Sequence, residues 1–525
     1  MDANDVTFNF ISPAQAEKMR KMLRDTVSPK QRAIVSQFLA HAERELKGIR
    51  VPVAKKGEDT AVATNEHSLL KKMELFRSVL SPIHQIPPEI LTRIFAFNCA
   101  GTRLETSSIP SIPDIFSISH TCGRWREIIL STPFLWSDFV LSYCAFPGMA
   151  SEREFEKRLS RLTSMVRLLL ERSEKVPLTF LLTVYDERSD EMAEFLSLLA
   201  QSAERWKSLI LFAEDCLRPF LHLLSRRLSS LQSLRLIWSA GTQSDRTYSK
   251  IVDLFEHCGS LTSVRLDFIL SPEWSLLRLP WKQLTKLEVS SIDTPSLARL
   301  LGECPRLKDL TLDTCVYADP QTASPITLSH LEKLSMPECT NIPLMLRHFL
   351  LPKLTTLRFK DKYPDNSIKY TKYIEEFLQR SSCTITSLAF QLPELIRVED
   401  ILSLLRLFPS LQKLLLEGGA WDLNIRGILI PSFLSTLSSL LPRLVELVLH
   451  VEGHGSIVVE SLLALVSITG RSKSDEKSAG AVVAGLRPLI ILIKGRKPAS
   501  AEDLANLKRL RDVGLRVDMF YVEHW

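Results

Sequence analysis

Apolar residues along this chain change their period twice. In the first 80 positions they recur at helical spacing: Val35, Phe38, Leu39, Ala42 and Leu46 make one stripe, and Leu69, Leu70, Met73, Phe76 and Leu80 another. Two helix starts precede or open this region, Ser12-Pro13-Ala14-Gln15 and Ser28-Pro29-Lys30-Gln31. In each, Ser can cap, Pro suits the first helical position, and Gln three residues after Ser can complete a capping box. The pattern predicts an N-terminal helical hairpin or short coiled-coil element, broken by an unpatterned linker at 50–63. No heptad run is long enough to define a dimerisation device.

From residue 231 onward the pattern becomes Leu-x-x-Leu-x-Leu or a close variant. It starts at Leu231, Leu261, Leu284, Leu307, Leu331, Leu354, Ile385, Leu411 and Leu444, and Trp206 with Leu209 and Leu211 suggests an earlier copy. Successive starts from 261 lie 23, 23, 24 and 23 residues apart, then 31, 26 and 33. Cys315 and Cys339 fall three residues after the last apolar position, where a leucine-rich repeat places Asn or Cys. Helical patterns lie between the phrases, as at Thr294-Pro295-Ser296-Leu297 and from Asp400, and Pro in Cys304-Pro305-Arg306-Leu307, Phe408-Pro409-Ser410-Leu411 and Leu441-Pro442-Arg443-Leu444 stops each helix before a strand. Strand and helix alternating at this period predict an α/β solenoid, leucine-rich-repeat-like, over residues 201–525. Residues 470–480 read as a polar loop, and Leu489–Ile493, Asp503–Arg511 and Leu515–Met519 as a strand, helix and strand that cap the array.

Side chains between the core leucines point out of the sheet onto the concave face. They comprise seven basic residues (Arg235, Arg265, Lys286, Lys333, Arg358, Lys360, Lys413) and six acidic ones (Asp267, Glu288, Asp309, Asp313, Glu417, Glu446). A mixed stripe suits a protein ligand better than a phosphate backbone. The most regular part of the array makes Lys286, Glu288, Asp309, Asp313, Lys333, Arg358 and Lys360 the candidate substrate-binding residues.

Between hairpin and repeats lies a third pattern. Pro87 or Pro88 begins a short helix in which Ile90, Leu91, Ile94 and Phe95 are expected on one apolar face. A polar insertion, Gly101 to Pro113, follows. Asp114 can cap the next helix, Gly123 permits a break, and Trp125, Ile128 and Ile129 form another apolar face before Ser131-Thr132-Pro133 and Leu135-Trp136. About 50 residues cannot bury a strong core alone, so an apolar face left over in such a unit needs a partner.

These residues carry a resemblance. Ile-Pro-Pro-Glu-Ile-Leu-x-x-Ile-Phe from Ile86, then Cys-x-x-Trp-Arg-x-Ile from Cys122 and Leu-Ser-Thr-Pro-x-Leu-Trp from Leu130, resemble the F-box, most closely the version expanded in mushroom-forming fungi. Leu80-Ser81-Pro82-Ile83 upstream, and Leu170-Glu171-Arg172-Ser173 with Val176-Pro177-Leu178-Thr179 downstream, extend it to roughly residues 69–184. Thr121 stands where Val is common, and the insertion at 98–113 departs from the pattern. The resemblance implies a three-helix unit at 81–140 that binds a Skp-type adaptor and through it a cullin, as the substrate-recognition subunit of an SCF-type ubiquitin ligase. The adaptor-facing residues it implies are Pro87, Ile90, Leu91, Ile94, Phe95, Trp125 and Arg126. The expected order is a helical region (1–80), the F-box, a connecting helix and strand segment (141–200) and the solenoid. A repeat scaffold acting outside ubiquitination is the alternative.

Bulk properties fit. The chain has 525 residues, 45% hydrophobic and 24% charged, with 66 Lys+Arg against 60 Asp+Glu, a net charge of +6. That bias is weak, and the basic runs Lys55-Lys56 and Lys494-Gly495-Arg496-Lys497 have no interleaved aromatics, so no nucleic-acid partner is expected. Nine scattered cysteines without C-x-x-C spacing read as reduced thiols of a cytoplasmic or nuclear protein. The acidic N-terminus has no apolar leader region, and no run of about 18 apolar residues suggests a membrane span. No catalytic motif is found, and no enzyme activity or cofactor is expected. His450 and His454 follow a predicted strand rather than share a helix face, so no metal is expected there either.

Overall fold

The structure, a computed structural model, describes residues 28–53, 69–70, 73–74, 76–105, 113–144, 152–185, 189–213, 223–224, 226–238, 254–267, 277–318, 325–361, 370–392, 398–418, 436–437, 439–450, 463, 490–495, 500–512 and 514–521. The helix start at Ser12 and the polar stretch 470–480 lie outside these. The chain divides into two compact units, Met1–Leu209 and Ile210–Trp525.

The first unit begins with helix α1 (Pro29–Val53). Its start is the expected capping box: the Ser28 amide donates to Gln31 Oε1 at 2.9 Å and the Gln31 amide to Ser28 Oγ at 3.3 Å. The helix runs on through Val53, so positions 50–53 of the expected linker are helical. Residues 69–70, 73–74 and 76–80 are helical (α2) and pack back on it. Val35, Phe76 and Val79 form one small core, and Ala42, Leu46 and Met73 the next, with Phe38 stacked on Phe76 at 6.0 Å. The helical hairpin read from the sequence is therefore present.

Three short helices follow: α3 (Pro88–Cys99), α4 (Asp114–Ser119) and α5 (Gly123–Leu130). Two details differ from expectation. Pro113, not Asp114, is the residue before α4, and no side chain caps it; Asp114 lies in the first turn, where a carboxylate favours the positive helix end. The break before α5 is made at Cys122, whose Sγ accepts the Trp125 amide at 3.5 Å. The insertion also is not all loop. Thr102–Glu105 is strand β1, parallel to β2 (Asp138–Cys144). Thr102 and Leu104 are buried while Arg103 is exposed, a period-2 alternation too short to stand out in the sequence. Strand β3 (Leu178–Tyr185) pairs with β2 in parallel, and Phe139 stacks on Phe180 at 5.4 Å. Helices α6 (Glu152–Arg172) and α7 (Ser189–Gln201) connect the strands, and β4 (Trp206–Ala213) begins with Trp206 edge-on to Phe180 at 4.7 Å.

The second unit is an α/β leucine-rich-repeat-like solenoid. Its strands are β5 (Ser233–Trp238), β6 (Ser263–Asp267), β7 (Lys286–Ser290), β8 (Asp309–Asp313), β9 (Lys333–Cys339), β10 (Thr356–Asp361), β11 (Ser387–Leu392), β12 (Lys413–Gly418), β13 (Glu446–His450), β14 (Ile490–Gly495) and β15 (Arg516–Tyr521). Each pairs in parallel with the next in chain order. Every Leu-x-x-Leu-x-Leu phrase from Leu231 to Leu444 leads into one of them.

The phrase works because the copies that begin with Leu repeat the same backbone bonds. The amide of the first Leu closes a tight turn on the residue three before it, as in Leu261 to Cys258 at 3.0 Å and Leu411 to Phe408 at 3.1 Å. The carbonyl after that Leu accepts two amides from the next repeat: Thr262 O takes Thr285 and Lys286, Thr285 O takes Lys308 and Asp309, and Lys308 O takes Glu332 and Lys333. The leucines meanwhile stack inward, with Leu287, Leu310, Leu312, Leu331 and Leu357 fully buried.

Helices return the chain between strands: α8 (Thr294–Gly302), α9 (Ile342–Leu346), α10 (Tyr370–Ser381), α11 (Val398–Leu405) and α12 (Ala501–Asp512). Asp293 rather than Thr294 caps α8, its carboxylate accepting the Ser296 amide at 2.8 Å. Helix α11 starts two residues before Asp400. Helix α10 was not anticipated and accounts for the long spacing between Leu354 and Ile385. Cys315 and Cys339 are buried as the repeat predicts; the Cys339 thiol donates to Leu312 O at 3.1 Å, and Cys315 beside it together with burial pushes its pKa up.

Candidate functional site

Helix α3 carries two apolar stripes rather than one. Leu91, Phe95 and Cys99, spaced by four, are 1–2% exposed and face the first unit's core. Ile90, Ile94 and Phe97, at i, i+4 and i+7, are 44%, 48% and 89% exposed. The expectation of a single face at Ile90, Leu91, Ile94 and Phe95 is corrected: side chains one residue apart point about 100° from each other, so adjacent pairs split. Phe97 completes the outer stripe, and its helical spacing from Ile90 and Ile94 was the signal available for it.

The rest of the expected set lies at the cap of α3 and on α5. Pro87 is exposed at the cap of α3, with Pro88 at the first helical position. Trp125 is half-buried, its ring 5.0 Å from that of Phe95, so it braces α3 from α5. Arg126 is exposed. Leu91 and Phe95 hold the outer stripe in place from inside. Phe134, 46% exposed in the turn after α5, adds another uncovered aromatic.

Arg124, which the sequence reading passed over, is 2% exposed. Its guanidinium donates to Ile86 O at 2.7 Å and Ile83 O at 3.4 Å, fixing the turn before α3 against the start of α5. Beside it His84 is 4% exposed, and its Nδ1 has no hydrogen-bond partner among the described residues. Burial, then the charges of Arg124 and Arg32, hold the His84 pKa below its ordinary value. Trp136 locks the exit, its indole N–H donating to Ile129 O at 2.9 Å. Downstream, Arg205 gathers the Leu170–Val176 segment by donating to Ser173 Oγ at 2.7 Å and Val176 O at 2.9 Å.

On the solenoid, Lys286, Glu288, Asp309, Asp313, Lys333, Arg358 and Lys360 all lie outside the core, as the alternation requires. They are not equivalent. Glu288 accepts from Lys286 Nζ and from Arg265, both at 2.8 Å. Lys286 and Arg265 hold its carboxyl below the usual range, against the opposing effect of its partial burial. Asp267, expected outward, is 2% exposed and takes Arg265 at 2.9 Å, Arg235 at 2.5 Å and the Ser290 hydroxyl at 3.1 Å. That network is internal. Among the described residues Lys333 and Lys360 make no ion pair.

No group of three or more His, Cys, Asp or Glu among the described residues could hold a metal ion, and no helix there is long and apolar enough to cross a membrane.

Comparison with known proteins adds one specific assignment. Residues 83–142 match the F-box-like family model. No curated protein gives a significant match to the chain. Solved structures with a similar chain course include the leucine-rich repeat-containing protein LegL7 of Legionella pneumophila (15% identity, TM-score 0.37, covering 64% of this chain and 98% of that one). A chain of the yeast Rad7 and Elc1 complex aligns at 17% identity with TM-score 0.31, covering 58% and 84%. A Bacteroides fragilis protein aligns at 12% identity with TM-score 0.25, covering 72% and 86%. Residues 83–142 are therefore an F-box-like segment, and the solenoid described above follows it in the chain.

Proposed function

We propose that the protein is the substrate-recognition subunit of an SCF-type cullin ubiquitin ligase. The F-box-like segment binds a Skp-type adaptor, the adaptor brings a cullin, and the solenoid holds a protein substrate. The observation that carries this reading is the exposed stripe Ile90, Ile94 and Phe97 within the F-box-like match. Three large apolar side chains uncovered on one helix face of a small unit call for a partner surface. On this reading Pro87, Trp125 and Arg126 also face the adaptor, and buried Leu91 and Phe95 support the stripe from beneath. The protein then acts by positioning a substrate rather than by chemistry of its own, in the cytoplasm or nucleus. The flanking Leu80-Ser81-Pro82-Ile83 and Val176-Pro177-Leu178-Thr179 favour the F-box type of mushroom-forming fungi. Affinity purification of the full chain from its native extract tests the reading: adaptor and cullin are expected together, and their joint absence contradicts it.

A further inference from the structure

The F-box-like match begins at residue 83, yet the turn that opens it is held from outside the match. Residues Pro82–Gln85 form one short 3-10 turn, and its own backbone bonds are long: the His84 amide reaches Ser81 O at 3.1 Å and the Ile86 amide Ile83 O at 3.3 Å. Such turns have poor hydrogen-bond geometry and take their shape from what packs on them. Two guanidinium groups do so here, at closer range. Arg124 of α5 donates to Ile86 O at 2.7 Å. Arg32 of α1 donates to Leu80 O, also at 2.7 Å, across 48 positions of the chain. With the Gln85 amide turned to satisfy both of its groups, its oxygen accepts from both terminal nitrogens of Arg32, at 2.8 and 2.9 Å. The apolar stripe of the hairpin seats Arg32 for this, since Phe38, Leu39 and Leu80 pack on the small core of Val35, Phe76 and Val79.

The turn leads straight into the exposed stripe. Helix α3 starts at Pro88, two residues after Ile86, and Pro87 before it has φ −56°. Proline fixes φ near −65°, so two in succession leave little freedom to swivel. The direction in which the turn delivers Ile86 is therefore carried into α3 and into the direction of Ile90, Ile94 and Phe97. Resting on the reading of the F-box-like segment as the adaptor-binding part, we propose that Arg32 is a positioning residue for the adaptor and that the N-terminal hairpin is a working part of the adaptor-binding unit. Arg32 acts through the turn, not by touching the adaptor.

The test uses the full chain as wild type, Arg32→Ala, Arg32→Lys and Arg77→Ala. Arg77 is the control in the same hairpin, where it pairs with Glu43 at 3.1 Å. Hydrogen exchange and affinity for a purified Skp-type adaptor are measured for each. Arg32→Ala should speed exchange of the amides between Ile83 and Leu91 while β2 and β3 keep wild-type protection. It should weaken adaptor affinity at least about fivefold, a fraction of what a charged hydrogen-bond donor contributes. Arg32→Lys keeps a charged donor for Leu80 O and should recover part of that loss. Arg77→Ala should stay within about twofold of wild type, as an exposed ion pair contributes little. Affinity unchanged in Arg32→Ala, no recovery in Arg32→Lys, or an equal loss in Arg77→Ala would overturn the proposal. So would exchange rising as much in β2 and β3, which would make Arg32 a general stabiliser. Each of these, with wild-type binding intact, removes this inference alone; a wild-type chain that does not bind the adaptor removes the proposed function with it.

Discussion

The guanidinium of Arg124 lies 2.7 Å from the carbonyl oxygen of Ile86, and this one bond joins the turn before α3 to the first turn of α5. It sets where α3 begins, and so where Ile90, Ile94 and Phe97 point. Arg124→Met keeps the aliphatic stem and leaves the Ile83 and Ile86 carbonyls without this donor. Hydrogen bonds from a charged group contribute about 1.5–3 kcal/mol. The urea midpoint followed by tryptophan fluorescence is expected to fall accordingly, and an unchanged midpoint would remove Arg124 as the clamp.

His84 adds a pH dependence to the same junction. Its folded pKa is held below 6.5, first by burial, then by Arg124 and Arg32. Above pH 6.5 the ring is neutral in folded and unfolded chain alike, and nothing is lost. As the pH falls below that value the unfolded chain takes up the proton first, so stability declines until the lowered folded pKa is passed. His84→Gln should lack this component. Unfolding midpoints at about pH 7.5 and 5.5, compared between the two proteins, check it; parallel losses in both would place the acid sensitivity elsewhere.

Asp267 is the anchor of the solenoid's charge network. Its carboxylate is almost fully enclosed and serves Arg235, Arg265 and Ser290. Asp267→Asn removes the carboxylate shared by Arg235 and Arg265 and leaves Arg265 to Glu288 and Asp313. Removing one partner of an enclosed ion pair costs about 3–5 kcal/mol, and the partial exposure of both arginines lowers the expectation to about 2–3 kcal/mol. Lys360→Gln, with no ion pair to lose, should change stability by no more than about 0.5 kcal/mol. Denaturation curves for the two variants should differ clearly, and equal curves would contradict the network's role.

The repeat phrase made the solenoid strands legible because its Leu positions and backbone bonds recur together from Leu231 to Leu444. Helix α10 escaped notice because Tyr370, Ile374 and Phe377 sit in a polar stretch between two irregular repeats. In the F-box-like segment the order of motifs was readable, but the partition of α3 was not. Adjacent apolar residues such as Ile90 and Leu91 look alike in sequence, and only packing against Trp125 and the neighbouring helices decides which is covered. Burial of Arg124 and Asp267 was hidden for a related reason: a lone charged residue reads as solvated until distant partners close on it, here the Ile83 and Ile86 carbonyls 41 and 38 residues from Arg124 and the Arg235 guanidinium 32 residues from Asp267.

That partition fixes how the central claim is tested. Replacing Leu91 by Asp puts a carboxylate into the core and should unfold the segment, so loss of binding in that variant says nothing about an interface. Ile90→Asp/Ile94→Asp changes only the exposed stripe. The decisive measurement is the affinity of purified full-length protein for a purified Skp-type adaptor, wild type against this double variant, with melting temperatures recorded for both. Each side chain covered by a partner contributes about 1.5–3 kcal/mol, so affinity should fall at least about a hundredfold while the melting temperature holds. A well-folded double variant that binds the adaptor as tightly as wild type would contradict the account.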